Sequence, residues 1–152
     1  MEDNILNNFF CEISLDFIDI NNIFKNHFNS DYGAIVCFFG KVRNKNNEKN
    51  VVGISYDMCD EFFIKILNDI CYYYCKNYQN IKIYVSHFKG YLKIGFVSTL
   101  IIVESLNRKN SFVICSMILE DIKKKLPIWK KEHYFTSNST WINGQIICKN
   151  IL

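Results

Sequence analysis

The residues best suited to chemistry gather around one bend. Lys123-Lys124-Lys125 closes an apolar-periodic segment running from Phe112 through Cys115, Ile118, Leu119 and Ile122, and Lys130-Lys131 lies just past the chain's one proline, Pro127. Apolar residues at that spacing predict a helix, and lysines in its last turn suit the negative end of the helix dipole. Pro127 has no N–H to donate and pushes Leu126 towards an extended conformation. The helix therefore stops near Lys125, and Ile128 to Tyr134 leaves as a strand. Lys123 on the helix end and Lys130 on the strand can then converge on one pocket. An ordinary lysine titrates near ~10.4 and is inert as a base or nucleophile at neutral pH. Neighbouring cations or partial burial free its lone pair. Without them, the lysine run is simply a solvated helix end.

Two guanidinium groups come next. The chain holds sixteen lysines but only two arginines, Arg43 and Arg108, in a composition rich in Asn, Ile, Phe and Tyr. Against that skew, an arginine marks a place where the planar fork, which grips phosphate or carboxylate in a bidentate way, has no substitute in lysine. Arg43 ends a long apolar strand pattern, Tyr32 to Val42, and precedes a polar loop, Asn44 to Asn50. Strand ends commonly carry ligand-binding groups. Arg108 follows Asn107, read as the N-cap of the helix to Lys125, and first-turn N–H groups favour anions.

The elements that must position these groups follow from patterning. Strands are predicted at Phe9 to Leu15, Tyr32 to Val42, Val51 to Tyr56, Ile81 to His87, Phe96 to Glu104 and Ile128 to Tyr134. Helices are predicted over Ile20 to Phe28 with Asp19 as cap, over Cys59 to Tyr78, and over Arg108 to Lys125. Asn29-Ser30-Asp31 reads as a turn, Phe88 to Gly95 as a turn-rich connection, Thr136 to Thr140 as a polar loop, and Trp141 and Ile142 open a short final segment. The order β-α-β-β-α-β-β-α-β with short turns predicts an α+β fold with a mixed or largely antiparallel sheet. With 152 residues, 49% hydrophobic and 22% charged, residues 1–152 read as a single globular domain.

Other classes are disfavoured. No apolar run reaches the ~18 residues that span a bilayer, and the acidic start Met1-Glu2-Asp3-Asn4 is unlike a signal peptide, so the expectation is a cytoplasmic protein without a membrane partner. A net charge of +3 is too weak to imply nucleic acid. The seven cysteines lack C-x-x-C spacing and read as reduced thiols; Cys71 and Cys75, one helical turn apart, would need two more ligands to hold a metal. His27, His87 and His133 show no ligand spacing and read as structural. The run Tyr72-Tyr73-Tyr74 is scattered by helical phase over different faces, which suits packing better than base stacking.

Several blocks, in order, resemble one family. Phe38-Phe39-Gly40-Lys41-Val42-Arg43-Asn44 is similar to a Phe-x-Gly-x-Val-Arg block. His87-Phe88-Lys89-Gly90 is similar to a His-Arg-x-Gly turn, with Phe88 where Arg is usual. Ser105-Leu106-Asn107-Arg108 with Phe112 is similar to Ser-x-His-Arg-x-x-x-Phe, with Asn107 in place of the histidine. Lys123 to Glu132 resembles Lys-x-x-x-x-Pro-[Ile/Phe]-Trp-Lys-[Lys/Arg]-Glu, and Trp141 closes the set. These are signatures of the large, catalytic subunits of molybdopterin synthase, the MoaE family. The resemblance implies an α/β-hammerhead type of fold and a sulfurtransferase. It would move sulfur from the C-terminal thiocarboxylate of a small ubiquitin-like subunit to cyclic pyranopterin monophosphate, making the dithiolene of molybdopterin. It further implies a homodimer of large subunits within a heterotetramer, and no metal or other cofactor. Carried onto matching positions, it makes Lys123 the leading catalytic amine and Lys130 its partner. It assigns Lys41, Val42, Arg43, Asn107, Arg108, Lys123, Lys130, Lys131 and Glu132 to substrate binding. Asn107 cannot take a proton as histidine can. The alternative from residues alone is a non-catalytic basic module that binds RNA or an acidic protein, with affinity falling steeply with salt.

Overall fold

The computed structural model describes residues 7–27, 31–46, 48–135 and 140–142. The predicted turn at 29–30, the loop at 136–139 and the chain beyond 142 lie outside them, as do the side chains of His27 and Trp141. In chain order the elements are β1 (Phe9–Ser14), α1 (Ile20–His27), β2 (Ala34–Lys41), β3 (Lys45–Asn46), β4 (Lys49–Met58), α2 (Asp60–Asn77), β5 (Ile81–Phe88), β6 (Gly90–Lys93), β7 (Val97–Ser105), α3 (Arg108–Lys125), β8 (Ile128–Tyr134) and β9 (Thr140–Ile142).

β7, with its run Leu-Ile-Ile-Val, is buried on both faces and sits inside a four-stranded sheet ordered β1-β5-β7-β2. β1 runs parallel to β5, and the other pairs are antiparallel, so the sheet is mixed. Alternation along the strands divides the core in two. Ile83, Val85, Ile101 and Val103 join Phe63 and Leu67 of α2 and Ile114 and Ile118 of α3 in the main cluster. Tyr84, Leu100 and Ile102 form a smaller one with Ile23 of α1. In the second sheet β4 is flanked by β6 and β8, and β9 lies beyond β8; all these pairs are antiparallel. Its residues Ile54, Tyr56, Met58 and Leu92 complete the main cluster.

The helix ends follow the expected chemistry. Asp19 Oδ1 accepts from the Asn22 N–H at 3.2 Å. Asn107 Oδ1 accepts from the Asn110 N–H at 3.1 Å. α3 ends where Pro127 requires, with Leu126 extended at φ −80°, ψ 131° and its N–H bonded to the Ile122 carbonyl at 3.1 Å.

Two connections differ from the sequence expectation. The stretch 88–95 holds a strand, β6, because Leu92 is fully buried against β4 while Tyr91 faces outward. That alternation spans too few residues to stand out among glycines and lysines. The polar loop at 44–50 is a hairpin, β3 turning into β4 with Glu48 at φ 64°. Its residues are too polar to show a strand pattern. A bulge matters more for the site. Gly40 pairs with Thr99 but Lys41 with Val97, leaving Ser98 as the extra residue. Bulges bend a strand and re-aim the side chains beyond them. A Cβ at Gly40 would stand 3.3 Å from the Thr99 Cβ, so the close approach there favours glycine.

Candidate functional site

The α3–β8 corner and the end of β2, opposite the β7 bulge at Ser98, face one another across a cavity of about 580 Å³. Lys41 and Arg43 enter from the β2 end, Lys123 from the last turn of α3, and Lys130 and Glu132 from β8. Phe38, Leu119, Ile122 and Ile128 provide apolar wall. The two amines expected to meet across the proline do so.

Their environments are unequal. Lys130 is held below the ordinary lysine range, first by burial and second by the positive charge of Lys123. Its Nζ stands 5.8 Å from the centroid of the Tyr56 ring, a contact that favours a cation and moderates this effect. Lys123 is exposed, with its Nζ 3.5 Å from Glu120 Oε1. Lys130 is thus the amine whose lone pair is more readily available.

His87 lines the same cavity. Its Nδ1–H donates to the Phe88 carbonyl at 2.9 Å, which leaves Nε2 as an acceptor. Burial pushes its pKa down to about 4; the Phe88 carbonyl opposes this and Lys130 adds to it. Tyr56 and Phe63 present edge-on contacts to the imidazole at 5.4 and 5.7 Å. His87 was expected to be structural, and the block His87-Phe88-Lys89-Gly90 was the signal that it borders the site. Phe88, where the resemblance expects Arg, is buried in the core.

Glu132 is 3% exposed. Its carboxylate accepts from Asn46 Nδ2 at 3.1 and 3.0 Å and from the Tyr134 hydroxyl at 2.5 Å. Asn46 Oδ1 in turn accepts from Arg43 Nη2 at 3.0 Å. Asn46 was absent from the predicted site because it lay in what read as a loop.

The remaining predicted residues fall elsewhere within one chain. Val42 packs into the core, 2% exposed, and borders a second, more open cavity with Lys41 and Arg43. Lys131 does not line the main cavity, because neighbours on a strand face opposite ways and Lys130 and Glu132 take the inner face. Asn107 and Arg108 begin α3, whereas Lys123 ends it. At 1.5 Å of rise per residue the two ends are roughly 25 Å apart. Arg43 and Arg108, both assigned to substrate binding, therefore do not line one cavity inside a single chain.

Among the described residues, no cluster of three or more His, Cys, Asp or Glu could hold a metal ion. The described cysteines are free thiols, and Cys11 Sγ lies 3.5 Å from Cys71 Sγ. No helix of the described residues is long and apolar enough to cross a membrane.

Comparison with known proteins converges on one family. The family described as MoaE protein matches residues 13–125. The molybdopterin synthase catalytic subunit of Synechococcus elongatus is 34% identical over 119 residues, covering 78% of this chain and 72% of that protein. That of Dictyostelium discoideum is 34% identical over 127 residues, covering 82% and 80%. The crystal structure of molybdopterin synthase from Staphylococcus aureus superposes with a TM-score of 0.81 at 27% identity, covering 87% of this chain and 96% of that one.

Proposed function

Because this chain belongs to the MoaE protein family, we propose that it is the catalytic subunit of a molybdopterin synthase. It takes sulfur from the C-terminal thiocarboxylate of a small ubiquitin-like subunit and places it on cyclic pyranopterin monophosphate, forming the dithiolene of molybdopterin in two transfers. The reaction takes place in the cytoplasm.

One observation carries this assignment: Lys41, Arg43, Lys123 and Lys130, from separate parts of the chain, line a single cavity in which burial and a neighbouring charge weaken one amine's hold on its proton. A phosphate and a carboxylate-like tail both need cations, and sulfur transfer needs a group to move protons or hold a transient acyl link. Lys41 and Arg43 serve the anions. Lys123 and Lys130 are the catalytic amines: Lys123 moves the proton or holds the transient acyl link, and Lys130, with its proton loosened by burial and by the Lys123 charge, is its partner. Asn107 and Arg108 complete substrate binding from a second copy of the large subunit, since their own chain holds them at the far end of α3.

A single-turnover assay with the thiocarboxylated small subunit and the pterin substrate tests this. Lys123→Ala abolishes product while the fold survives. Lys123→Arg fails as well, since it keeps the charge but loses the titratable amine. Full activity in Lys123→Arg overturns the catalytic assignment.

A further inference from the structure

Arg43 is exposed, at the end of a strand, and an arginine in that position ordinarily samples many rotamers. Here its guanidinium is tied down from one side. The buried Glu132 carboxylate receives both its Asn46 bonds from a single Nδ2, and the Oδ1 of the same amide takes the Arg43 Nη2–H. The amide can be placed only this way round. Flipping it would set its oxygen against the carboxylate and its NH2 against the guanidinium. The hairpin β3–β4 holds Asn46 in place through its pairing with Lys49. The Tyr134 hydroxyl donates to Oε2, the oxygen that also takes the shorter Asn46 bond, and adds a second anchor to the carboxylate.

The neutral link has an electrostatic consequence. A direct Arg43–Glu132 ion pair would orient the guanidinium but also cancel much of its field in the cavity. The amide transmits orientation and carries no net charge. Arg43 has five N–H donors, and the bond to Asn46 uses one of them. We infer that Asn46 is a positioning residue, whose amide couples the buried Glu132 carboxylate to Arg43 and holds the remaining guanidinium donors towards an anionic group in the cavity. This rests on the function proposed above. It also gives Glu132 a part that suits its charge, since a carboxylate facing a phosphate would repel it.

Two measurements test it. The first is a double-mutant cycle on sulfur transfer with Asn46→Ala, Arg43→Ala and the pair. If Asn46 acts through Arg43, Asn46→Ala raises KM for the pterin substrate by on the order of ten-fold, with kcat little changed, as expected for a hydrogen bond to a charged group. It then adds nothing when Arg43 is already alanine. An equal loss in both backgrounds overturns the inference, as does a loss in kcat that follows thermal stability. Asn46→Asp is the second variant, matching in shape but opposing Glu132 with a second carboxylate, and it behaves like Asn46→Ala or worse. The second measurement does not depend on the reaction. With two arginines, the chain gives two guanidinium Nε–H resonances in a nitrogen-15 spectrum, and Arg43→Lys removes the one of interest. Asn46→Ala should broaden that resonance and speed its exchange with water. An unchanged resonance refutes the clamp even where Arg43→Ala leaves no turnover to compare. A wild-type chain that transfers no sulfur, yet shows the held resonance, refutes the function and the positioning role while leaving the geometry intact.

Discussion

The two ends of α3 carry similar chemistry and meet different fates. At the start stand Asn107 and Arg108, at the finish Lys123, Lys124 and Lys125. Both ends are well anchored. Asn107 caps the first turn, and the Ser105 and Ser111 hydroxyls meet at 2.7 Å behind it. At the other end the Tyr74 hydroxyl of α2 donates to Asp121 Oδ2 at 2.9 Å, and Lys125 Nζ lies 2.9 Å from Asp121 Oδ1. Only the finish faces the cavity, through Leu119, Ile122 and Lys123, because β8 folds back beside it and brings Lys130 within range. An ionisable group in a suitable local setting is thus not yet part of a site; it needs a second element to close over it.

The largest effects should come at the finish of the helix. Lys123→Ala and Lys130→Ala each lower the single-turnover rate by ~10²-fold or more, the usual scale for losing a proton-transfer group. Unchanged rates would break the contrast outright. Next comes the start. Copies carrying Arg108→Ala and copies carrying Lys123→Ala are inactive alone. Mixed, they regain up to about a quarter of wild-type activity if Arg108 serves the partner's cavity in a two-fold dimer. No recovery would mean that Arg108 does not act across copies.

Protonation sharpens the comparison further. His87 has a folded-state pKa of about 4 against an ordinary 6.5. The unfolded chain therefore binds its proton first, and the stability that neutral His87 allows is present above pH 6.5 and lost as pH falls towards 4. The loss amounts to about 3 kcal/mol at 1.36 kcal/mol per unit. Glu104 works in the opposite sense. Burial raises its pKa from 4.5 to about 7, so its contribution is present below pH 4.5 and lost as pH rises through 7. The difference between wild type and His87→Phe in denaturant unfolding isolates the histidine: the gap changes between pH 7 and pH 4, and a constant gap refutes the buried neutral ring. Lys130 gives a second test of the same region. Replacing Lys123 with Met moves the Lys130 Nζ titration upward but not fully to the ordinary range, since burial is the larger cause; an unmoved titration would show that the amines do not interact. The smallest effects concern anchoring alone. Asn107→Ala and Tyr74→Phe should each cost about 1 kcal/mol in denaturant unfolding, so stability does not distinguish the ends and activity does.

Much of this was legible from residue order. The caps at Asp19 and Asn107, the stop at Leu126 before Pro127 and the strands that became β7 and β8 all depend on neighbours a few positions apart, and each appears as expected. Nothing local, however, sets Arg43 and Asn46 beside Glu132, or His87 beside Lys130, for these are separated by long stretches of chain. Their meeting required two sheets to share one core, a bulge at Ser98 of β7 opposite the end of β2, and β8 to present alternate residues inward. Arg108 stands at the far end of α3 from Lys123 for a local reason, the length of the helix itself. Hydrogen bonds and backbone sterics act between near neighbours and can be inferred from a string of residues; the convergence of distant side chains is decided by which faces the folded core buries.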